Sequence, residues 1–285
     1  MPLPRRRRTD FEHSASAEDL QHLRAAIEGV PQAAGVYTFH GEAGDLPLYI
    51  GKSVNLRSRL LSHLRNADEA RMLRQTRRIS HTRTAGEMGA LLLEAQLIKQ
   101  LKPMFNQKLR ESRQCCSLQL SGPRPELVYS NDLDFAVAPH LYGLFGSRQA
   151  GLQALRELAD QHRLCYGALG LEKLAAGKAC FRAAIRQCAG VCRGDETSEQ
   201  HHERLRSSLQ PWGVEPWPWG GAIAVIERDE ELTQVHALNR WSYLGSAATL
   251  QEARALQGQP AAFDADVYKI LLRPLLSGSA QIVEL

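Results

Sequence analysis

The 285-residue chain has no apolar run of the roughly 18 residues that a membrane-spanning helix needs. The basic run Arg5–Arg8 near its start is not followed by an apolar stretch, so a secretory signal is not indicated. We therefore expect a cytoplasmic protein without membrane attachment. In that compartment its six cysteines are more often reduced, metal-bound or catalytic than paired in disulfides.

Nucleic-acid-reading modules are also missing, because the chain shows no zinc-finger spacing, helix-turn-helix signature, tandem helix-hairpin-helix motif or internal repeat. The charge distribution is more informative. Residues 1–113 hold 19 Lys and Arg against 12 Asp and Glu, whereas residues 114–285 hold 16 against 19. A basic first half suits a polyanionic partner, since neutralised phosphates release counterions. A solvated arginine-rich surface has the same composition, so charge alone does not show that the first half binds a polyanion.

Periodicity and turn residues predict an α/β fold class: a small mixed ββααβα unit, then a mostly helical cysteine-bearing segment and a small α+β part. Pro123 and Pro125 are interpreted as a joint. The expected domains are a basic arm with a short helix over 1–30, the α/β unit over 33–108 and a C-terminal part over 120–285. Strands are expected over 35–40, 47–50, 78–84, 222–226 and 233–238, and helices over 20–28, 53–64, 68–77, 86–101, 148–162, 195–210, 250–256 and 264–271.

Two tyrosines are expected on neighbouring strands beside positive charge. Tyr37 belongs to Gly35-Val36-Tyr37, and Tyr49 belongs to Leu48-Tyr49-Ile50-Gly51. On the following helix, for which Ser53 is the expected N-cap, Arg59 and His63 share one stripe at the helical period. An ordinary amphipathic surface helix has the same pattern. Tyrosines beside arginine nevertheless suggest chemistry on a phosphodiester.

Glu94 lies in the middle of an apolar helix face, between Leu91, Leu97 and Ile98 on the helical wheel. An ionised carboxylate there costs several kcal/mol unless it is paired or binds a cation. Its partner is either a buried arginine, Arg59 being a candidate, or a hard divalent ion. In a phosphodiesterase, Tyr37 or Tyr49 could act as the base or as a proton relay, provided that nearby cations or a metal lower its pKa.

As a set, these residues resemble the GIY-YIG endonuclease domain in its UvrC-type version, and the resemblance covers residues 33–108. It implies DNA incision that depends on Mg²⁺ or Mn²⁺ and leaves 5′-phosphate and 3′-hydroxyl ends. Tyr37 and Tyr49 would activate the nucleophile, Arg59 would stabilise the transition state and Glu94 would bind the metal. The resemblance also implies that three further residues bind the substrate or order the site: Gly51, Lys52 and Asn106.

Two departures from the UvrC pattern matter. His63 stands where UvrC-type proteins usually have tyrosine, and because histidine titrates near neutrality the base remains open between Tyr49 and His63. UvrC is also about twice as long, with a second nuclease domain. The second half resembles short members of that family. This implies a monomer that cuts damaged double-stranded DNA once, 3′ to the lesion, after marking by the partner UvrB.

Four cysteines in the second half form a candidate metal site: Cys165, Cys180, Cys188 and Cys192. Helical spacing places the last three on one face, with Cys165 supplied by a preceding loop. Such a set could hold zinc or a [4Fe–4S] cluster, although buried free cysteines are common. The resemblance to UvrC favours the cluster, with zinc as the alternative.

Two other functions compete with this one. The first is a module that binds DNA or UvrB without cutting, and the presence together of Tyr37, Tyr49, Arg59 and Glu94 argues against it. The second is a GIY-YIG nuclease for another DNA structure, such as branched DNA. The lack of a recognisable reader module weakens that alternative.

Overall fold

The computed structural model describes residues 17–42, 47–106, 114–175 and 178–285. Three antiparallel sheets follow one another along this part of the chain. No helix within the described ranges is long and apolar enough to cross a membrane. The predicted arm at Arg5–Arg8 and parts of the loops over 41–45 and 107–113 lie outside the described residues.

The first sheet has the strand order β2-β1-β3, with both neighbours antiparallel to the central strand. Its apolar face packs on the surrounding helices through the side chains of Phe39, Leu56 and Leu60. The predicted ββααβα order is confirmed. The elements are β1 (Gly35–His40), β2 (Pro47–Ser53), β3 (Arg78–Arg83), α1 (Ala17–Glu28), α2 (Leu56–Arg65), α3 (Ala70–Gln75, after a 3₁₀ turn at Ala67–Glu69) and α4 (Glu87–Leu101).

The start of α2 differs from the sequence prediction. Ser53 is the last residue of β2, and Asn55 is the N-cap, whose side chain accepts a hydrogen bond of 3.0 Å from the Ser58 N–H. Lys52 also belongs to the strand, where it pairs with Val36. Pairing with β1 therefore extends β2 beyond the point at which local propensity ends it.

The second sheet has the strand order β5-β4-β6 and was missed, because its strands are only four or five residues long. Pro123 and Pro125 lie in the turn between two of these strands, so they turn the chain within one sheet rather than joining two domains. The predicted boundary at residue 120 falls inside this hairpin. The elements are β4 (Cys116–Gln119), β5 (Glu126–Tyr129), β6 (Leu141–Phe145), α5 (Arg148–Gln161), α6 (Phe181–Ala184) and α7 (Ser198–Leu209).

The third sheet has the strand order β10-β7-β8-β9. The predicted hairpin is its centre, formed by β7 (Ile223–Arg228) and β8 (Thr233–Asn239). The segment before it is a packed loop, because the Trp217 ring contacts Trp241 at 5.2 Å between centroids. The remaining elements are β9 (Ser242–Ala247), α8 (Leu250–Ala255), α9 (Ala265–Leu276) and β10 (Gln281–Glu284).

Helix α4 lies between the first and third sheets. Ala90 and Ile98 pack against the first sheet, whereas Leu92 packs into the core beside Val225 of the third. The two buried faces leave Glu94 half-buried between them. The prediction that Glu94 occupies the middle of a single core face is therefore wrong, because a helix shared by two layers has no single core face.

Candidate active site

The two tyrosines meet on one face of the first sheet. Tyr37 pairs with Gly51 across β1 and β2, and its ring lies 6.3 Å from that of Tyr49 between centroids. A Cβ on Gly51 would collide with the Tyr37 hydroxyl and approach the Tyr49 ring to 2.9 Å. Tyr37 is only 1% exposed, whereas Tyr49 is half-buried. Glycine at position 51 thus provides the space in which the rings meet.

A hydrogen-bonded chain runs behind the tyrosines. The Tyr37 hydroxyl lies 2.6 Å from Nε2 of His63, which is 2% exposed, and Nδ1 of His63 contacts a carboxylate oxygen of Glu69. A carboxylate beside Nδ1 favours the tautomer with a proton there, which leaves Nε2 to accept from Tyr37. Glu69 therefore orients the histidine.

Sequence reasoning missed Glu69. It lies in the 3₁₀ turn after α2, where Asn66 caps the turn and donates to the carboxylate of Glu69 at 3.1 Å. The Asn-capped turn is a local signal, since asparagine favours such positions. This local signal does not show that the turn folds back so that Glu69 contacts His63.

Burial controls the proton affinities in this cluster. It raises the pKa of both Tyr37 and Tyr49 and lowers the pKa of His63, against the opposing effect of Glu69. Arg59 donates to the Tyr37 hydroxyl at 3.4 Å and lowers the pKa of that tyrosine, but burial outweighs it. The protein groups therefore do not by themselves lower the pKa of either tyrosine, and the roles of Tyr37 and Tyr49 as base or proton relay stay predictions.

Glu94 faces this cluster from α4. Its Oε1 accepts a 3.0 Å hydrogen bond from the backbone N–H of Lys52, whose ammonium donates to Glu87 at 2.5 Å. Burial raises the pKa of Glu94. Among the described residues it forms no ion pair, so the alternative of a salt bridge to Arg59 is not what the structure shows. One oxygen of this half-buried carboxylate is fixed, and the other has no hydrogen bond to any residue that the structure describes. Such a carboxylate suits a hard divalent ion that keeps several waters.

Two residues predicted to bind substrate or to order the site are buried. Asn106 uses its side-chain amide to bridge the backbone of Ile50, accepting at 2.9 Å and donating at 2.8 Å. It therefore fixes β2 between Tyr49 and Gly51. Asn106 thus has contacts that order the site, and Lys52 lies half-buried at its edge, whereas substrate contact by Asn106, Gly51 or Lys52 stays a prediction.

The four cysteines form a second cluster, in which all Sγ atoms lie within 4.8 Å of one another. The predicted shared helix is wrong: Cys180 precedes the short α6, Cys188 lies in a turn, and Cys192 lies in the 3₁₀ turn Val191–Arg193. Burial raises the pKa of Cys165 to about 11. Three buried thiols and the half-buried thiol of Cys192, converging from loops, fit a thiolate-bound metal.

The Sγ spacing also bears on which metal fits. Zn–S bonds of about 2.3 Å in a tetrahedron place sulfurs roughly 4 Å apart. A [4Fe–4S] cluster holds its four thiolates on separate irons and spreads them further. The distances as they stand therefore suit one tetrahedral ion, and a cluster requires the surrounding loops to move apart.

Comparison with known proteins agrees with this arrangement. Family profiles match over three stretches, a UvrC-like GIY-YIG domain at 33–107, a UvrC/Cho excinuclease middle domain at 115–211 and an excinuclease Cho C-terminal domain at 222–285. The fold and the tyrosine-lined site thus define a GIY-YIG nuclease of the UvrC class.

Comparison with individual proteins shows to which family of UvrC-class nucleases the chain belongs. Excinuclease Cho of Escherichia coli strain K12 is 55% identical over 278 residues, 98% of this chain and 94% of that protein. The chain belongs to the excinuclease Cho family and is a DNA endonuclease of excision repair. UvrABC system protein C of Mesorhizobium japonicum is 30% identical over 68% of this chain and 28% of its own length. The magnesium-bound GIY-YIG N-terminal endonuclease domain of UvrC from Thermotoga maritima is 31% identical, covers 30% of this chain and 97% of its own, and has a TM-score of 0.28.

Proposed function

We propose that this protein incises the damaged DNA strand 3′ to the lesion on a duplex marked by UvrB, leaving 5′-phosphate and 3′-hydroxyl ends. The chemistry is supported by one observation: Tyr49, Arg59 and Glu94 surround a partly open site, with Tyr37 and His63 buried behind it. The relative named UvrABC system protein C supports the UvrB partner. The C-terminal half provides the docking surface in this proposal.

In the proposed mechanism, Tyr49 is the residue that meets the attacking water, because Tyr37 and His63 are almost completely buried. The Tyr49 ring lies 6.3 Å from the Tyr37 ring between centroids, and the Tyr37 hydroxyl lies 2.6 Å from Nε2 of His63. The proton leaving the water can therefore pass through both hydroxyls to Nε2 of neutral His63. Because burial raises the pKa of the tyrosines, they serve as relays that gain one proton as they lose another.

Arg59 acts on the other side of the reacting phosphate. Its exposed guanidinium is anchored by Nε to Tyr37, so the terminal nitrogens remain directed away from that contact toward phosphate oxygens. A Mg²⁺ or Mn²⁺ ion held by Glu94 would neutralise charge on the leaving 3′-oxygen. Lys52 fixes the Glu94 carboxylate through its backbone N–H.

Nick mapping tests the proposal. A lesion-bearing duplex labelled at each end is incubated with the full chain, with and without UvrB and Mg²⁺. We expect a single cut 3′ to the lesion that requires both. Equal cutting of undamaged duplex without UvrB would overturn the repair assignment. Cleavage confined to branched DNA would instead favour the other GIY-YIG function.

The pH dependence of cutting tests His63 as the proton acceptor. Burial lowers its pKa from the ordinary 6.5, so neutral histidine persists at pH 7 and the rate should fall only on the acid side of about 6.5. H63Q is expected to lower the rate about a hundredfold and to remove that acid limb. Single-turnover rates from pH 5 to 8 provide the measurement, with H40Q as the control. An unchanged acid limb in H63Q would exclude the role.

We also propose that Cys165, Cys180, Cys188 and Cys192 hold a structural metal centre, either a single ion or an iron–sulfur cluster. C180S should lose the metal and melt at lower temperature, because thiolate sites couple metal binding to folding. C116S is the matched control, since Cys116 is buried in β4 outside the cluster. Elemental analysis and the visible spectrum of anaerobically purified protein identify the metal. Equal metal content in both variants would contradict the site.

A further inference from the structure

The N-terminus of helix α4, which carries Glu94, has no cap of its own. Gly86 occupies the N-cap position in an extended conformation and offers no side chain. A residue of the third sheet replaces it: the Glu227 carboxylate accepts from the N–H groups of Met88 at 3.0 Å and Gly89 at 2.7 Å. These are the second and third helical positions, whose N–H groups an N-cap side chain ordinarily satisfies.

Glu227 is itself held in place from behind. Nε2 of His236 lies 2.9 Å from the carboxylate, and Nδ1 lies 2.6 Å from the hydroxyl of Ser246. Burial disfavours the charge, but hydrogen bonds from His236, Gly89 and Met88 hold the pKa of Glu227 below its ordinary value. The carboxylate therefore stays ionised at the positive end of the helix dipole.

The serine–histidine–glutamate order resembles a hydrolase triad, but the geometry contradicts that function. Ser246 is exposed, but a triad histidine must also exchange protons with the substrate, and His236 is 0% exposed. Both oxygens of Glu227 are engaged by α4. The contacts from Ser246 through His236 and Glu227 thus end on α4. We infer that they hold the helix in place.

The two glycines at this end of α4 are required by the contact. A Cβ on Gly86 would collide with the carboxylate of Glu227, and one on Gly89 would come within 2.8 Å of the His236 ring. Only residues without a side chain let the third sheet approach the helix end this closely.

The other end of α4 is fixed by the same part of the chain. The Lys99 ammonium donates to the Asp264 carboxylate at 2.6 Å, and Asp264 is the N-cap of α9. Between the two ends, Leu92 is fully buried in the core of that half. Glu94 thus projects from a helix that the third sheet and α9 hold at its start, middle and end.

We propose that Glu227 is a positioning residue of the nuclease site, which caps α4 from the C-terminal sheet and thereby fixes the orientation of Glu94. This inference rests on the proposed function insofar as Glu94 binds the metal. It makes the last 64 residues, the stretch matched by the Cho C-terminal profile, a structural part of the nuclease centre. Glu227 contacts neither DNA nor metal in this proposal.

The first test compares E227A with E231A in the full chain. Glu231 lies on the same hairpin, pairs with Arg83 and is 74% exposed, so E231A removes an ion pair between the same two sheets without touching α4. Loss of an N-cap lowers the equilibrium constant for an ordered first turn about fivefold. We expect E227A to raise the Mg²⁺ concentration for half-maximal cutting about fivefold, with the KM for DNA unchanged. E231A should change neither.

A compensating variant distinguishes capping from any other role. In E227A the space beside residue 86 is vacated, so G86S can supply a local N-cap. G86S alone should impair cutting, because its Cβ meets Glu227. The G86S/E227A double variant should restore the Mg²⁺ requirement to within about twofold of the parent. If the double variant remains as impaired as E227A, capping is not what Glu227 provides, and the inference fails.

Hydrogen exchange of the metal-free, DNA-free proteins gives a readout that does not depend on the nuclease assignment. The Met88 and Gly89 amides should exchange faster in E227A than in the parent and E231A, and slowly again in the double variant. Unchanged exchange in E227A would overturn the inference. Retained cutting by E94Q would overturn the metal assignment instead, and the exchange data would still report on the cap, so the two failures are distinguishable.

Discussion

Replacing Glu94 by glutamine is expected to reduce Mg²⁺-dependent incision at least about a thousandfold, since the lost metal stabilises the transition state by several kcal/mol. The amide keeps the shape of the side chain, and its carbonyl oxygen can still accept from the Lys52 N–H. The charge that attracts a divalent ion is removed. Single-turnover cutting at saturating DNA, titrated with Mg²⁺ and Mn²⁺, measures the effect.

The same substitution should not weaken the fold. Burial raises the pKa of Glu94, which means that its charge is held at a cost in the folded state. A raised carboxyl pKa destabilises the protein once the pH exceeds the unfolded value, so E94Q should melt at the same temperature or higher at pH 7. The matched control is E87Q on the same helix, whose carboxylate is 55% exposed and pairs with Lys52. E87Q should cut normally, and an E94Q that does so too would contradict the metal assignment.

The site separates into an outer and an inner layer, and this division explains how one cluster can serve both chemistry and stability. Arg59, Tyr49 and Glu94 are accessible and can meet phosphate, water and metal. Tyr37 and His63 are buried and hydrogen-bonded to each other. Substitutions in the outer layer should change rates, whereas those in the inner layer should change rates and melting temperatures together.

Much of the outer layer could be predicted from sequence, because local patterns place its members. The paired tyrosine phrases mark adjacent strands, and helical spacing places Arg59 beside His63, as the structure confirms. A strong apolar period located α4, which was predicted within one residue of its observed start. Each of these signals extends over fewer than about twenty residues, a range in which periodicity is informative.

The remaining features depend on contacts between distant parts of the chain. Glu69 reaches His63 only because the turn after α2 folds back, and Glu227 reaches α4 across 138 positions of sequence. The predicted position of Glu94 on the helical wheel was wrong for the same reason. The prediction assumed one buried face of α4, whereas α4 has two, one packed against each sheet. Local propensity does not encode which layers a helix will contact.

Replacing Arg59 by alanine is expected to lower the single-turnover rate about a hundredfold to a thousandfold, the usual effect of removing one donor that stabilises a developing anion. R59K should recover only part of this loss, because an ammonium lacks the planar fork that contacts two phosphate oxygens. DNA affinity should change little, since one exposed cation among many contributes one phosphate contact. Rates with excess enzyme and anisotropy with labelled duplex separate the two quantities.

Arg57, two residues earlier on the same helix, provides the opposite control. Its guanidinium donates to the backbone carbonyls of Val30, at 2.8 Å, and Glu28, at the end of α1. R57A should therefore lower the free energy of unfolding by about 1 kcal/mol and leave the cutting rate unchanged. R59A should do the reverse, because the Arg59 side chain is exposed and its contact with Tyr37 is long at 3.4 Å. If R59A loses stability while cutting at the parental rate, Arg59 is a structural residue. The positive charge that stabilises the transition state must then come from another residue of the basic surface.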